Sequence, residues 1–482
     1  MVYLPGLEQL LESQLHRLHA IEIEPQTFWH NKDAGCDSFS FDLEQARLVQ
    51  QYPVAKTFHS VGFPIGGTSS TPVIDLQLLS RHASLIHPAW ISEHLSFNNF
   101  EEDGRLLNTN FLLPPLPTEE GVRIAVDNIN YFRSVVDLPF AFETGVNYLA
   151  PRAGEISDGE FVARIATRSD SCILLDLHNI LTNQKNGRQS VDRFIGQLPL
   201  ERVCEIHIAG GFHFRNYYID AHAGIASDEL FDLLDSIVRR LPALKAVIFE
   251  MLPEYADNVS SDQLGAQLER MHRIWDNRGK DLRVTPRQLS KEDHQQQGTQ
   301  LWTAKQWQRD LGNAVLGRPL MDSRLSLELA GDPGVGIIAE LIFHFRTAAL
   351  TSALNYTTRL LRLALGKEAF HEMLQQFLAG TDPEIFAFAS AVKFASFLRE
   401  KNYPVAYLKK TLEFELTTLY ILLDNKSRSV EFNFNPFPVM RSLSENTLPG
   451  EQDAEMSFIL DIQPDDQVLN KDVLNFYSVY HN

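Results

Sequence analysis

Between Glu205 and His222 the chain reads Glu-Ile-His-Ile-Ala-Gly-Gly and, one short loop later, Ile-Asp-Ala-His, so that His207, Asp220 and His222 fall in a single span. Imidazoles and carboxylates at such spacing are ligands for a metal ion of borderline or hard character. An apolar run that closes on a histidine and a glycine pair suits a buried strand opening into a loop, the place where barrel enzymes keep their reacting groups. The glycine pair would let the chain turn. Other apolar runs end the same way, on His59, His94, Glu143, Asp176 and Glu250.

The elements that must carry these residues alternate. Helical spacing over 7–18, 43–51, 75–86, 118–136, 158–168, 191–198 and 228–241 is followed each time by a strand-like run, at 20–24, 56–61, 89–97, 140–143, 172–176, 203–208 and 246–250. Such alternation means a parallel sheet. Seven helix-strand units in roughly 250 residues fit an α/β, TIM-type (β/α)8 barrel over 1–278 better than an open sheet. Its eighth strand would be either 2–4 or 217–220.

Residues 279–300 are polar and rich in glutamine, the texture of a linker. From 301 to 482 the chain is mainly helical, with apolar periodicity over 337–349, 354–365, 369–378, 385–399 and 405–423, and ends in a short β-containing tail with strand-like pieces at 430–434 and 457–462. This second part holds no histidine and carboxylate cluster and reads as a docking domain.

Composition narrows the class. With 43 basic and 62 acidic residues the formal charge is -19, which argues against binding nucleic acid through its phosphates. Cys36, Cys172 and Cys204 are the three cysteines, two of them inside apolar runs, as expected of buried free thiols in a reducing compartment. No cleavable targeting pattern opens the chain and no run approaches ~18 apolar residues, so a cytoplasmic protein without membrane spans is expected.

Parallel barrel strands bring their C-terminal ends to one mouth, although ~30–45 residues separate them in sequence. His59, His94, Glu143, Asp176, His207, Asp220, His222 and Glu250 would then share one cup. Eight donors exceed the four to six of a single ion, so two or three ions bridged by carboxylates are expected, of iron, manganese or zinc. Zinc or manganese would suit a phosphoesterase or a sugar isomerase, iron an oxidation; a non-catalytic metal-binding peptide scaffold is the third option. Residue by residue, blander roles are commoner: an acid at a strand end is usually a helix cap or an ion-pair partner. His82, His87, His178 and His213 stand as ordinary hydrogen-bonded histidines, and 101–103 and 451–455 as surface charge.

Motif order adds a family. Ile21-Glu-Ile-Glu-Pro-Gln-Thr-Phe, His59-Ser-Val-Gly-Phe-Pro-Ile-Gly, Ser92-Glu-His-Leu-Ser-Phe, Phe142-Glu-Thr-Gly-Val-Asn-Tyr, Leu174-Leu-Asp-Leu-His-Asn, Glu205-Ile-His-Ile-Ala-Gly-Gly, Asp220-Ala-His and Ile248-Phe-Glu resemble the multinuclear non-haem iron-dependent oxidases, the methanobactin oxidase among them, over about residues 1–275. The resemblance implies the same eight residues as ligands of two or three iron ions in mixed Fe2+ and Fe3+ states. Dioxygen would be the co-substrate and a residue of a ribosomally made precursor peptide, most often cysteine, the target. It also makes Glu22, Glu93, His178 and Asn179 candidates for groups that support the ligands.

Departures from the family pattern are Glu93 for its usual Asp, Leu177-His178 for its Val-Asn, and Leu252 where an acid is usual. Phe345-Arg, Leu365-Gly-Lys-Glu-Ala-Phe, Phe397-Leu and Tyr407-Leu-Lys-Lys-Thr-Leu-Glu-Phe-Glu resemble the partner protein that presents the peptide, which implies an oxidase fused to its partner.

Overall fold

The computed structural model describes residues 1–31, 39–69, 73–280, 301–320, 323–384, 386–451, 457–464 and 466. Most of the expected linker and Cys36 lie outside them. Eight parallel strands form one sheet: β1 Val2–Tyr3, β2 Ala20–Ile23, β3 Ala55–Ser60, β4 Ile91–His94, β5 Phe140–Glu143, β6 Cys172–Asp176, β7 Val203–Ala209 and β8 Ala246–Glu250, hydrogen-bonded in that order. The sheet is a (β/α)8 barrel, as the alternation predicts.

The eighth strand is the first in the chain, and short: Val2 pairs with Glu22 and Tyr3 with Ile23. Tyr217–Ile219, the other contender, instead pairs antiparallel with Phe212–Phe214 in a hairpin after β7. A second hairpin, Phe97–Glu102 with Arg105–Leu113, follows β4. Side chains in β3 to β8 are buried almost throughout, which is why these strands read as apolar runs rather than alternating ones. Helix starts between them are set by side-chain caps, Thr118 accepting from the Gly121 N–H and Ser227 from that of Leu230, while Ser260 and Gln263 form a capping box.

The described residues fall into two compact units, and their division differs from the expected one. One unit takes in Met1–Phe28 and Phe41–Ala339, the other Trp29–Ser40 and Glu340–Tyr477. Two helices beyond the linker, Ala304–Val315 and Arg324–Ala330, therefore belong with the barrel. The polar contacts of the first give the reason: the Trp307 indole donates to the Pro114 carbonyl at 2.9 Å, and Gln308 donates to the Gly66 carbonyl at 2.9 Å while accepting from the Thr68 N–H. Both side chains are buried at 1% exposure, so this surface is interior.

The second unit is mainly helical, with Asn355–Leu365, Lys367–Ala379, Ala387–Lys401 and Leu408–Asp424 around a core that includes Leu350, Leu361, Phe377, Phe394, Leu412 and Phe432. Its antiparallel pair, Arg428–Phe432 with Phe458–Ile462, matches the two expected strand pieces closely. Among the described residues one helix, Pro333–Ala353, is long and apolar enough to cross a membrane by length and composition, and 44% of that window is buried.

Candidate metal centre

Strand register puts the ends of neighbouring strands side by side: His94 lies opposite Glu143, Asp176 opposite His207, and Ala209 opposite Glu250. The imidazoles of His59, His94 and His207 and the carboxyls of Glu143, Asp176 and Glu250 meet inside the barrel mouth, all but His94 at 2% exposure or less. The His94 Nε2 stands 2.8 Å and the His59 Nε2 3.5 Å from Glu143 Oε2, and the two nitrogens are 3.3 Å apart. Across the cup His207 Nδ1 is 3.0 Å from Glu250 Oε1 and 3.8 Å from Glu143 Oε1.

The loop after β7 returns to the same place. Asp220 Oδ1 lies 3.1 Å from His222 Nε2, which is 3.7 Å from Glu250 Oε2. His222 sits at φ +45°, a conformation uncommon outside glycine and tolerated best by Asn, Asp and His. The glycine pair works differently from the expected turn. Neither Gly210 nor Gly211 has positive φ; a Cβ on Gly210 would stand 2.1 Å from the Ala223 carbonyl oxygen and one on Gly211 2.6 Å from His178 Cε1. Their missing side chains make room for the returning loop, whose Ala223 N–H donates to the Gly210 carbonyl at 2.7 Å.

Hydrogen bonds decide which ring nitrogens face the cup. The Ser92 hydroxyl donates to the Phe58 carbonyl at 3.2 Å and so accepts from His59 Nδ1–H at 2.8 Å, which leaves the lone pair of His59 on Nε2. His94 Nδ1 lies 3.2 Å from the Ser60 carbonyl, which can only accept, so its Nε2 also faces inward. Two imidazole lone pairs and a carboxylate oxygen then converge with no hydrogen to share. A cation fits there. Without one a proton would serve: burial alone would lower the His94 pKa, but Glu143 and Glu93 outweigh it and hold the imidazole well above its usual value.

The same contest recurs around the cup. Burial opposes charge on His207, and Glu22 and Glu250 raise it well above the usual range; for His222 burial is outweighed by Asp220 and Glu250, and its pKa is pushed up to about 10. Asp176 is raised well above the normal carboxyl value by burial and then by Glu143, Asp220 and Glu250. Its Oδ1 accepts the Asn179 N–H at 2.8 Å, capping the Leu177–Lys185 helix, while Oδ2 is buried and accepts no hydrogen bond. The cap reading and the ligand reading of Asp176 thus use different oxygens.

Five overlapping trios have ligand atoms within 4.8 Å of one another: His59, His94 and Glu143; His59, His207 and Glu250; Glu143, Asp176 and His207; Asp176, His222 and Glu250; and Glu22, Glu205 and His207. Seven of the eight expected residues appear among them. Asp220 does not, and faces His222 and His178 instead.

Of the four supporting candidates, Asn179 donates to Glu143 Oε1 at 3.3 Å and to the Thr144 carbonyl at 3.2 Å, and Glu22 Oε1 is 2.9 Å from His207 Nε2. Glu93 accepts from the N–H groups of Phe63 and His94 and so ties two strand ends together. His178, buried among its neighbours, has Nε2 3.4 Å from Asp220 and a pKa lowered by burial to about 4.

His82 is a core histidine stacked on Phe41 with ring centroids 4.5 Å apart, and His213 is exposed on the hairpin after β7. Sequence reasoning missed Ser92, two residues before His94 on the same strand face, and Tyr148, whose hydroxyl accepts the Asp220 N–H at 3.1 Å. A cleft opens onto the cup past His94, Glu143, Asp220 and His222, and its outer wall is apolar, with Phe111, Leu113, Pro115, Phe161 and Phe194.

A barrel whose strand ends gather histidines and carboxylates is the scaffold of a metal-site enzyme. The RiPP precursor modification enzyme MbnB/TglH/ChrH model matches residues 6–274, and the chain belongs to that family. A UPF0276 protein of Anaeromyxobacter sp. (strain Fw109-5) is 33% identical over 207 residues, 43% of this chain and 70% of the relative. Another UPF0276 protein, of Caulobacter vibrioides, is 27% identical over 227 residues, 47% and 77% of the two chains. Among solved structures, a xylose isomerase domain containing protein of Salmonella typhimurium LT2 aligns with TM-score 0.38 at 14% identity, over 56% of this chain and 92% of that one. Endonuclease IV of Thermus thermophilus aligns with TM-score 0.35 at 13% identity, over 56% and 94%.

Proposed function

We propose that this chain is an iron-dependent oxidase that uses dioxygen to modify a residue, most often cysteine, of a ribosomally made precursor peptide. His59, His94, Glu143, Asp176, His207, Asp220, His222 and Glu250 would hold two or three iron ions in mixed ferrous and ferric states. The observation that carries the reading is the convergence of two Nε2 lone pairs and shared carboxylates in a buried cup, within the span matched to the precursor-modifying family. Bound there, iron would pass to dioxygen the electrons that the peptide residue gives up as it is oxidised, and its positive charge would favour a thiolate over a thiol.

The chain's own residues do the rest. Ser92 fixes the tautomer of His59, Asn179 holds Glu143, and the apolar wall of Phe111, Leu113, Phe161 and Phe194 keeps water from the peptide segment in the cleft. The mainly helical second unit would recognise the precursor, taking the place of a separate partner protein; its resemblance to such partners supports this.

The test is metal analysis of aerobically purified protein, with the mass of a candidate precursor peptide measured after coexpression. More than one iron per chain and an oxygen-dependent loss of mass from the peptide are expected. Stoichiometric zinc with activity indifferent to oxygen removal would sink the proposal and favour a hydrolase or isomerase.

A further inference from the structure

Asp220 reaches the cup from a loop and depends on a neighbour for its position. Its backbone N–H donates to the Tyr148 hydroxyl at 3.1 Å, and Tyr148 is buried at 4% exposure between the cleft and the returning loop. Tyr148 stands in the segment after β5, which is pinned at both ends. On one side the Asn147 N–H donates to Asn183 Oδ1 at 2.7 Å. On the other, Asp332 Oδ2 accepts from the Ala150 N–H at 3.1 Å and from Arg152 Nη2 at 2.6 Å.

The other oxygen of Asp332 accepts the Gly334 N–H at 2.9 Å, capping the helix Pro333–Ala353. A Cβ on Gly334 would lie 2.2 Å from the Tyr148 carbonyl oxygen, so the Tyr148 backbone rests directly on this glycine. Asp332 and Arg152 are 4% and 7% exposed, and the Arg152 guanidinium lies 5.1 Å from the Trp307 ring centroid. A paired, desolvated aspartate that caps a helix and fixes a loop at once leaves that loop little freedom.

We infer that Asp332 and Gly334, both beyond the span matched to the family, are positioning residues for Asp220, acting through Tyr148. They are part of the barrel's working site although they follow the linker. The inference rests on the proposed role of Asp220 as a ligand, and its test separates the two.

Cobalt(II) alone serves as the probe, because its visible spectrum reports ligand number and geometry. Tyr148→Phe removes the acceptor for the Asp220 N–H, and Asp332→Ala releases the loop. Each is expected to weaken cobalt binding by about 10–100-fold, the usual loss when a group supporting a ligand is removed, and to alter the spectrum. The double variant should be no worse than the more affected single one, since both act on one path.

Hydrogen exchange of 217–222, read on metal-free protein, should speed up in Asp332→Ala and in Gly334→Ala while exchange in β3 and β4 stays unchanged. Asp332→Asn, which keeps an acceptor for one N–H, should recover part of both signals. Unaltered exchange at 217–222 in Asp332→Ala overturns the inference. Wild-type protein that binds no cobalt, with exchange still faster in the variant, sinks the metal reading and supports the positioning role.

Discussion

Replacing Asp176 by Asn should move the stability of the metal-free and metal-loaded protein in opposite directions. Asp176 shares ligand distances within 4.8 Å with Glu143 and His207 on one side and His222 and Glu250 on the other. Two like charges no more than 4.8 Å apart repel by at least ~3.5 kcal/mol at an effective dielectric of 20. Nearby imidazoliums offset part of this, but the upward displacement of the Asp176 pKa shows that burial and repulsion win.

The sign follows from linkage. The folded state holds the Asp176 proton more tightly than the unfolded one, so the contribution is fully present below about pH 3.9 and is lost as pH rises through the raised folded pKa. At pH 8 a neutral amide should therefore stabilise the metal-free protein, by roughly 1–3 kcal/mol after the offset. Asn Oδ1 can keep the cap on the Asn179 N–H. With metal present the amide is a poorer ligand; a 100-fold loss of affinity removes about 2.7 kcal/mol of ligand-linked stability at saturating metal.

Thermal melts of both proteins at pH 8, with chelator and then with cobalt(II), read the two signs, at no more than roughly 2–4 °C per kcal/mol for a unit this large. Asp176→Asn lowering the midpoint in both conditions would refute the reasoning. It would mean that the carboxylate is a structural cap and not a member of a charge cluster awaiting a cation.

Three further outcomes are expected. Ser92→Ala should cost about 1–3 kcal/mol, the usual loss when one partner of a buried hydrogen bond is removed, and weaken cobalt binding about 10–100-fold, because His59 loses the group that fixes its tautomer; equal affinity by titration would count against the assigned tautomer. Gly210→Ala must push back the Ala223 carbonyl, 2.1 Å from the new Cβ, and should cost about 3 kcal/mol or more in chemical denaturation, a loss that a wild-type-like unfolding midpoint would contradict. In the second unit Glu415 accepts from the Tyr356 and Thr357 N–H groups while burial pushes its pKa up to about 7. Its contribution is complete below about pH 4.3 and fades as pH rises through about 7, so Glu415→Gln should gain up to ~3 kcal/mol relative to wild type between pH 5 and pH 8; parallel stability curves across that range would show the assignment to be wrong.

What was legible in the sequence is what strand periodicity and strand ends carry. His59, His94, Glu143, Asp176, His207 and Glu250 each close an apolar run, and a parallel barrel turns that one-dimensional fact into a shared mouth. Asp220 and His222 were readable because the glycine pair marks a place where the chain returns, although the glycines act by leaving room rather than by turning. Ser92 and Tyr148 stand inside two of the family-like motifs, yet nothing local marks their roles, since a serine in a strand and a tyrosine in a loop are ordinary until a partner far along the chain is known. The same holds for the division of the chain. Trp307 and Gln308 sit in a helix like any other, and only their bonds to Pro114 and Gly66 assign that helix to the barrel. The pairing of Trp29 with Phe39 beside Phe386 likewise joins an early segment to the second unit through contacts that no local pattern announces.

The seat of Trp307 also sets the smallest fragment that will behave well when expressed alone. A chain cut at 274, where the family match ends, would bare Pro114, the Gly66 turn and the Phe100 ring, against which Gly312 packs so closely that a Cβ there would stand 2.5 Å from Phe100 Cδ1. Uncovered apolar surface of that kind invites self-association. Anyone trimming this protein to its barrel should carry the cut past Ala339, or expect inclusion bodies where a shorter alignment promised a domain.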